Sequence, residues 1–177
     1  MKRLYLIIMS ALLFTACDTE SHINKTTVKH VDLERYLGRW YEIARYEHHF
    51  EKNLEGVTAE YSMMDNGIIR VKNSGYLDSL GGRYKEIVGK ARERKNADGD
   101  GQLEVSFFWI FYSDYNILEL DTANYNYALV GSKSSDYLWI LSRTPKMKTE
   151  DLNFLLSKIK SRGYSIDDLY WVKQPER

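Results

Sequence analysis

Residues 36–46 read Tyr36-Leu37-Gly38-Arg39-Trp40-Tyr41-Glu42-Ile43-Ala44-Arg45-Tyr46, and this stretch decides the fold. Gly38 removes a side chain where the backbone has to turn, so that Trp40, two positions on, can lay its indole across the end of a closed sheet. The ring needs a partner for its face. Arg143, just past the last apolar strand, is the expected one, its guanidinium stacked on the indole and its donors turned to nearby carbonyls. Gly38, Trp40 and Arg143 together would form the floor of a barrel.

Working outward, residues 32–37 read as one short helical turn that crosses the closed end before strand A begins at Arg39. Strand patterns then recur at even spacing. Residues 57–64 and 68–75 flank Asp65-Asn66-Gly67, whose Asn-Gly pair readily supplies positive φ, so they form a hairpin. Residues 84–94 and 103–108 flank 96–101 as a second hairpin, and 115–121, 127–132 and 137–142 complete the set. Eight antiparallel strands with no helix between them predict an all-β, up-and-down barrel. One helix starts near Thr149, its Leu152, Leu155, Leu156 and Ile159 falling on a single stripe, with Gly163 placed to end it. It would pack outside the wall, where residues 169–172 could add a short ninth strand.

The chain has 177 residues, 44% of them apolar, which suits one domain with a sizeable core. Its 25 basic and 25 acidic residues cancel, which disfavours a nucleic-acid partner. The only cysteine is Cys17, so no internal disulfide and no Cys-rich metal site can form. Lys2 and Arg3, the apolar run 4–14 and the small pair Thr15-Ala16 precede it, and the run is too short to span a bilayer permanently. The segment resembles a bacterial lipoprotein signal: 1–16 removed, Cys17 acylated, and 17–30 a lipidated N-terminus and flexible tether to a domain over 31–177. Phe14 stands where that motif usually has Leu. Asp18 complicates the address, since in some envelopes an Asp after the lipidated cysteine signals retention in the inner membrane.

Gly38-x-Trp40, the run 115–121 (Tyr-Asn-Ile-Leu-Glu-Leu-Asp) and Arg143 match the three short motifs of the lipocalins. Over nearly the whole mature chain the sequence resembles the bacterial lipocalin lipoproteins of the outer membrane, which are similar to apolipoprotein D. That resemblance implies that Tyr61, Asn73, Tyr112 and Trp139 face a ligand. It implies an apolar wall with a few polar tips, suited to a fatty acid or lysophospholipid, and membrane attachment through Cys17. A second copy of the chain, in a homodimer, is left open.

No cofactor and no metal are expected. The segment 96–101 opens like a calcium loop, but its twelfth position is Phe107, so it reads as a turn. His48 and His49 read as exposed loop residues, and His22 and His30 lie in the tether. Residues 109–112 continue an apolar run into a loop at the rim, a portal into the barrel. Two rivals remain. One is a lipocalin-fold enzyme with Glu119 as its interior carboxylate; the other is a scaffold with a filled barrel.

Overall fold

The computed structural model describes residues 23–95, 97–108 and 110–176; the leader and Cys17 lie outside them. A helical turn, α1 (Leu33–Tyr36), is capped by the Asp32 carboxylate, which accepts from the Arg35 N–H. It leads into β1 (Gly38–Tyr46), β2 (Leu54–Met63), β3 (Ile69–Leu77), β4 (Arg83–Glu93) and β5 (Gln102–Phe108). Then come β6 (Phe111–Leu120), β7 (Tyr127–Gly131), β8 (Leu138–Ser142), the helix α2 (Thr149–Ser161) and β9 (Leu169–Trp171). Strands pair antiparallel in chain order from β2 to β8, and β1 closes the ring by pairing with both β8 and β2. The closed barrel has eight strands, and β9 adds to the upper part of β1 beyond the point where β2 leaves it.

The period of two sorts side chains to either side of the wall. Ile69 and Val71 of β3, Ala91 of β4, Leu103 of β5 and Ile117 of β6 meet Trp40 and Tyr61 in the lower interior. Leu129 of β7 and Ile140 of β8 face outward and bury Leu155 and Ile159 of α2, half of the predicted stripe, with Leu152 and Leu156 at its margin. Each of those fully buried aliphatic side chains is worth about 2 kcal/mol, enough to hold a single helix on the wall. Gly163 ends α2 at φ +88°, and the turn between β2 and β3 takes positive φ at Asn66 (+62°) and Gly67 (+73°).

Three expectations change. The chain from Ile23 to His30 is docked on the barrel: the Val28 N–H donates to the Ile117 carbonyl at 3.0 Å, and the Asn24 N–H to that of Arg162 at 2.8 Å. Arg162 in turn donates to the carbonyls of Asn24 and Thr26, and His30 meets the Asp100 carboxylate at 2.7 Å. The packed unit therefore starts at least eight residues before Val31. Residues 111 and 112 are no loop, because Phe108 pairs with Phe111 and β6 begins there. His48 is buried rather than exposed, for reasons given below.

Candidate functional site

The floor is built where β1 enters the barrel. Trp40 is fully buried and its indole N–H donates to the Tyr36 carbonyl at 2.8 Å. The Arg143 guanidinium carbon sits 3.8 Å from the ring centroid on the opposite side from the core. Arg143 donates to the carbonyls of Tyr125 (3.1 Å), Leu37 (2.9 Å), Arg39 (3.0 Å), Arg35 (2.6 Å) and Tyr36 (3.2 Å). Gly38 is at φ +92°, and a Cβ there would lie 3.5 Å from Arg143 Nη1, so glycine serves the turn more than the clearance. Burial draws the Arg143 pKa down, opposed by the nearby tyrosines.

Above the indole lies a chain of three hydroxyls that the sequence reading missed. Tyr115 Oη is 2.7 Å from Tyr36 Oη and 2.9 Å from Tyr61 Oη. Burial raises all three phenols, Tyr61 to about 12. Tyr61 is thus tied into the floor, its hydroxyl already partnered. The signal for Tyr115 was its phase with Ile117 on one strand face.

Higher up, side chains on the inward phase become exposed. Ile87 of β4 is in phase with core Ala91, yet 41% exposed, and Ser113 of β6, in phase with Tyr115, is also exposed. Asn73 is in phase with Val71 and pairs in register with Ala59 and Ile87. Its Oδ1 is buried without a hydrogen-bond partner. An orphaned acceptor on a barrel wall is costly unless a donor arrives. Trp139, half-buried, packs on the same lower core from β8. Its N–H is taken, donating to Glu51 Oε2 at 3.1 Å, so that its ring face is what remains.

That bond belongs to a lid. The loop 47–53 between β1 and β2 folds back over the mouth on the β1–β8 side and inserts Glu51. Arg45, fully buried, donates to Glu42 Oε1 at 2.8 Å and to the Glu51 carbonyl at 2.7 Å. His48 Nε2 lies 3.2 Å from Glu51 Oε2 without hydrogen-bonding geometry, and its ring stacks on Phe50 at 3.8 Å and tilts against Trp139. Burial, and next the Arg45 charge, push the His48 pKa down to about 4, so the ring is neutral at neutral pH. Burial raises both Glu42 and Glu51, the Glu51 charge adds to the rise at Glu42, and the Arg45 charge opposes the rise at each.

Tyr112, which the resemblance turned toward a ligand, and Glu119, which the enzyme reading needs inside, both face out. Tyr112 is out of phase with Tyr115, and its ring lies under the Arg92 guanidinium (4.0 Å) and the Lys90 ammonium (5.7 Å) on the outer wall. Glu119 accepts from Arg162 Nε (3.1 Å) and Nη2 (2.9 Å), with Lys158 Nζ at 3.8 Å, against the end of α2. A β-bulge between Ile117 and Glu119 turns it outward, where strict alternation would have put it inside. Asp100, in the segment that opens like a calcium loop, holds His30 at the β4–β5 turn.

Comparison with known proteins agrees with this architecture. A family model described as "Lipocalin-like domain" matches residues 31–174. The outer membrane lipoprotein Blc of Vibrio cholerae serotype O1 is 41% identical, covering 98% of this chain and 99% of its own. Apolipoprotein D of Mus musculus is 31% identical, covering 97% and 94%. The crystal structure of insecticyanin from the tobacco hornworm Manduca sexta superposes with a TM-score of 0.68 at 20% identity, covering 86% of each chain, and shares the fold.

Proposed function

The chain belongs to the lipocalin family, and from that premise we propose that it binds or carries an amphiphile such as a fatty acid or lysophospholipid in the upper barrel. The carrying observation is the buried, unpartnered Asn73 Oδ1 on the inward phase of β3, above the sealed floor and in register with the exposed Ile87. The alkyl tail would lie against Trp139, Ala59, Val105 and the floor, and a donor on the ligand's polar part would meet Asn73. Burying about 15 methylenes yields roughly 12 kcal/mol, which leaves micromolar affinity after an association cost of about 4 kcal/mol. The reading is one of binding without chemistry, since the carboxylate that a catalytic reading relied on, Glu119, is held outside by Arg162. The interior pair Glu42 and Glu51 is engaged in latching the lid.

The same reading places the protein in the envelope, attached through acylated Cys17. Asp18 left the inner membrane open beside the outer one. Relatives about as long as this chain are named outer membrane lipoproteins, which supports the outer membrane instead.

Titration of delipidated protein with palmitate and with a lysophospholipid, followed by tryptophan fluorescence, tests the binding. Quenching that saturates in the micromolar range or below is expected, weakened at least several-fold by Asn73→Ala for the lysophospholipid and unaltered by Tyr112→Ala. No quenching well above micromolar concentrations would refute the proposal.

A further inference from the structure

We propose that the open end of the barrel faces the lipid bilayer, with the tip of the β5–β6 hairpin seated among the lipid headgroups. The proposal rests on the reading of Cys17 as acylated and adds the orientation that acylation alone does not give.

The first observation is the direction of the N-terminal strap. From Val31 at the floor the chain climbs the outer wall of β6, with Val28 on Ile117, Asn24 on Arg162 and Lys25 Nζ on the Lys133 carbonyl at 2.6 Å. Lys133 lies just past the upper end of β7. Ile23 then lines a surface recess with Tyr46, Glu47, Ser135 and Asp136, all at the open end. Only five residues separate Ile23 from Cys17, and the six steps between them reach at most about 20 Å. A lipid on Cys17 therefore holds the mouth, not the floor, close to the membrane.

The second observation is independent of the anchor. Phe108, Ile110 and Phe111 at the β5–β6 turn are 72%, 69% and 76% exposed, at that same open end. The turn stands clear of the wall on both flanks. Among the described residues β4 pairs with β5 only through Lys90–Glu93, and β6 meets β7 only from Asn116 downward. Apolar side chains held on a projecting turn are costly in water and suit the headgroup boundary of a bilayer. Once the leader takes Lys2 and Arg3 from the 25 basic residues, the acidic residues are in slight excess and give no long-range pull toward an anionic surface, so insertion of the tip is the orienting contact. An amphiphile could then pass between bilayer and barrel without crossing water.

The test uses the full, acylated protein in vesicles of phosphatidylethanolamine and phosphatidylglycerol. Ile110→Cys at the tip and Asn124→Cys at the floor turn each carry an environment-sensitive fluorophore, acylation having consumed the only native thiol. The tip label is expected to shift to the blue and to be quenched by lipid-borne quenchers, while the floor label keeps its emission in water. With Cys17 acylated, both labels in water, or the floor label in lipid, would overturn the orientation. So would a tip label shielded by a second copy of the chain, blue-shifted but insensitive to the lipid quenchers. A mass of the N-terminal peptide showing an unmodified Cys17 would instead remove the anchor on which the proposal rests. As a second arm, Ile110→Asp with Phe111→Asp should remain vesicle-bound through Cys17 yet slow amphiphile transfer from the vesicles about tenfold; an unaltered rate counts against the proposal.

Discussion

Replacing Arg143 by Met keeps the length of the side chain and removes its charge and its five donors. The structure sets the expected cost. The guanidinium lies 3.8 Å from the Trp40 ring, a contact worth about 1 kcal/mol when partly desolvated. Its bonds to the carbonyls of Arg35, Tyr36, Leu37, Arg39 and Tyr125 carry charge, each worth about 1.5–3 kcal/mol if no water replaced the donor. Several of these acceptors lie near the surface and regain water, so roughly two of the five count. The sum is about 4 kcal/mol, a large share of the 5–15 kcal/mol typical of a domain, and it corresponds to a fall in Tm of about 8–16 °C. Urea unfolding followed by tryptophan fluorescence, with the slope unchanged between variants, reads this directly. Arg143→Lys keeps a charge without the planar fork, and should recover less than half of the loss. A cost below about 1 kcal/mol for Arg143→Met, or full recovery by Lys, would refute the view that a forked cation clamps the floor.

Two further predictions concern the interior. Tyr115→Phe strips the common partner from the hydroxyls of Tyr36 and Tyr61 and should cost about 2–3 kcal/mol by the same urea assay. His48 has a pKa of about 4 when folded against about 6.5 unfolded, so the unfolded chain takes up the proton first. The stability that neutral His48 preserves is complete above about pH 6.5 and is lost as pH falls toward 4. Glu42 and Glu51, with raised pKa values, change stability in the opposite direction, so the comparison has to be made against His48→Gln. Relative to that variant the native protein should lose on the order of 2 kcal/mol between pH 7 and pH 4, allowing for solvent screening; urea midpoints that move in parallel would refute the assignment.

Where local chemistry dictates the answer, the sequence was sufficient. Asn66-Gly67 can turn in few ways, the stripe from Leu152 to Ile159 has one face to bury, and Gly38-x-Trp40 with Arg143 pairs a ring with a cation. The interior was less legible because bulges break the period on which side-chain facing is read. Trp40 and Glu42 share a phase, and strict alternation would then send Arg45 outside with Ile43. The shift between Glu42 and Ala44 sends both Ile43 and Ala44 out and turns Arg45 inward onto Glu42. The bulge between Ile117 and Glu119 acts in the same sense, sending both Leu118 and Glu119 out and Leu120 back inside. Tyr112 follows plain alternation from Tyr115, so its placement outside was readable, and the expectation that it faces a ligand came from resemblance rather than from phase. His48 was misjudged because its burial depends on Phe50, Tyr137 and Trp139, the last two some 90 positions away in the chain.

The floor and the loop over one side of the mouth are held by different chemistry, and the difference says which of them can yield. At the floor, the acceptors around Arg143 are backbone carbonyls, which do not titrate, and the ring beneath it is fixed by an N–H bond to Tyr36. Nothing there changes charge near neutral pH. At the mouth, the Arg45 guanidinium bridges the Glu42 carboxylate and the Glu51 backbone carbonyl, His48 lies against the Glu51 carboxylate without a hydrogen bond, and Glu51 belongs to a loop of seven residues, 47–53. Each of those contacts depends on a proton or on a group that pays for its burial. A binding barrel has to keep one end shut while the other yields, and strain from unpaired polar groups collects at the lid rather than at the plug. If the proposed binding holds, the ligand's way in is past Glu51 and His48, at the end from which the N-terminal strap leads toward Cys17.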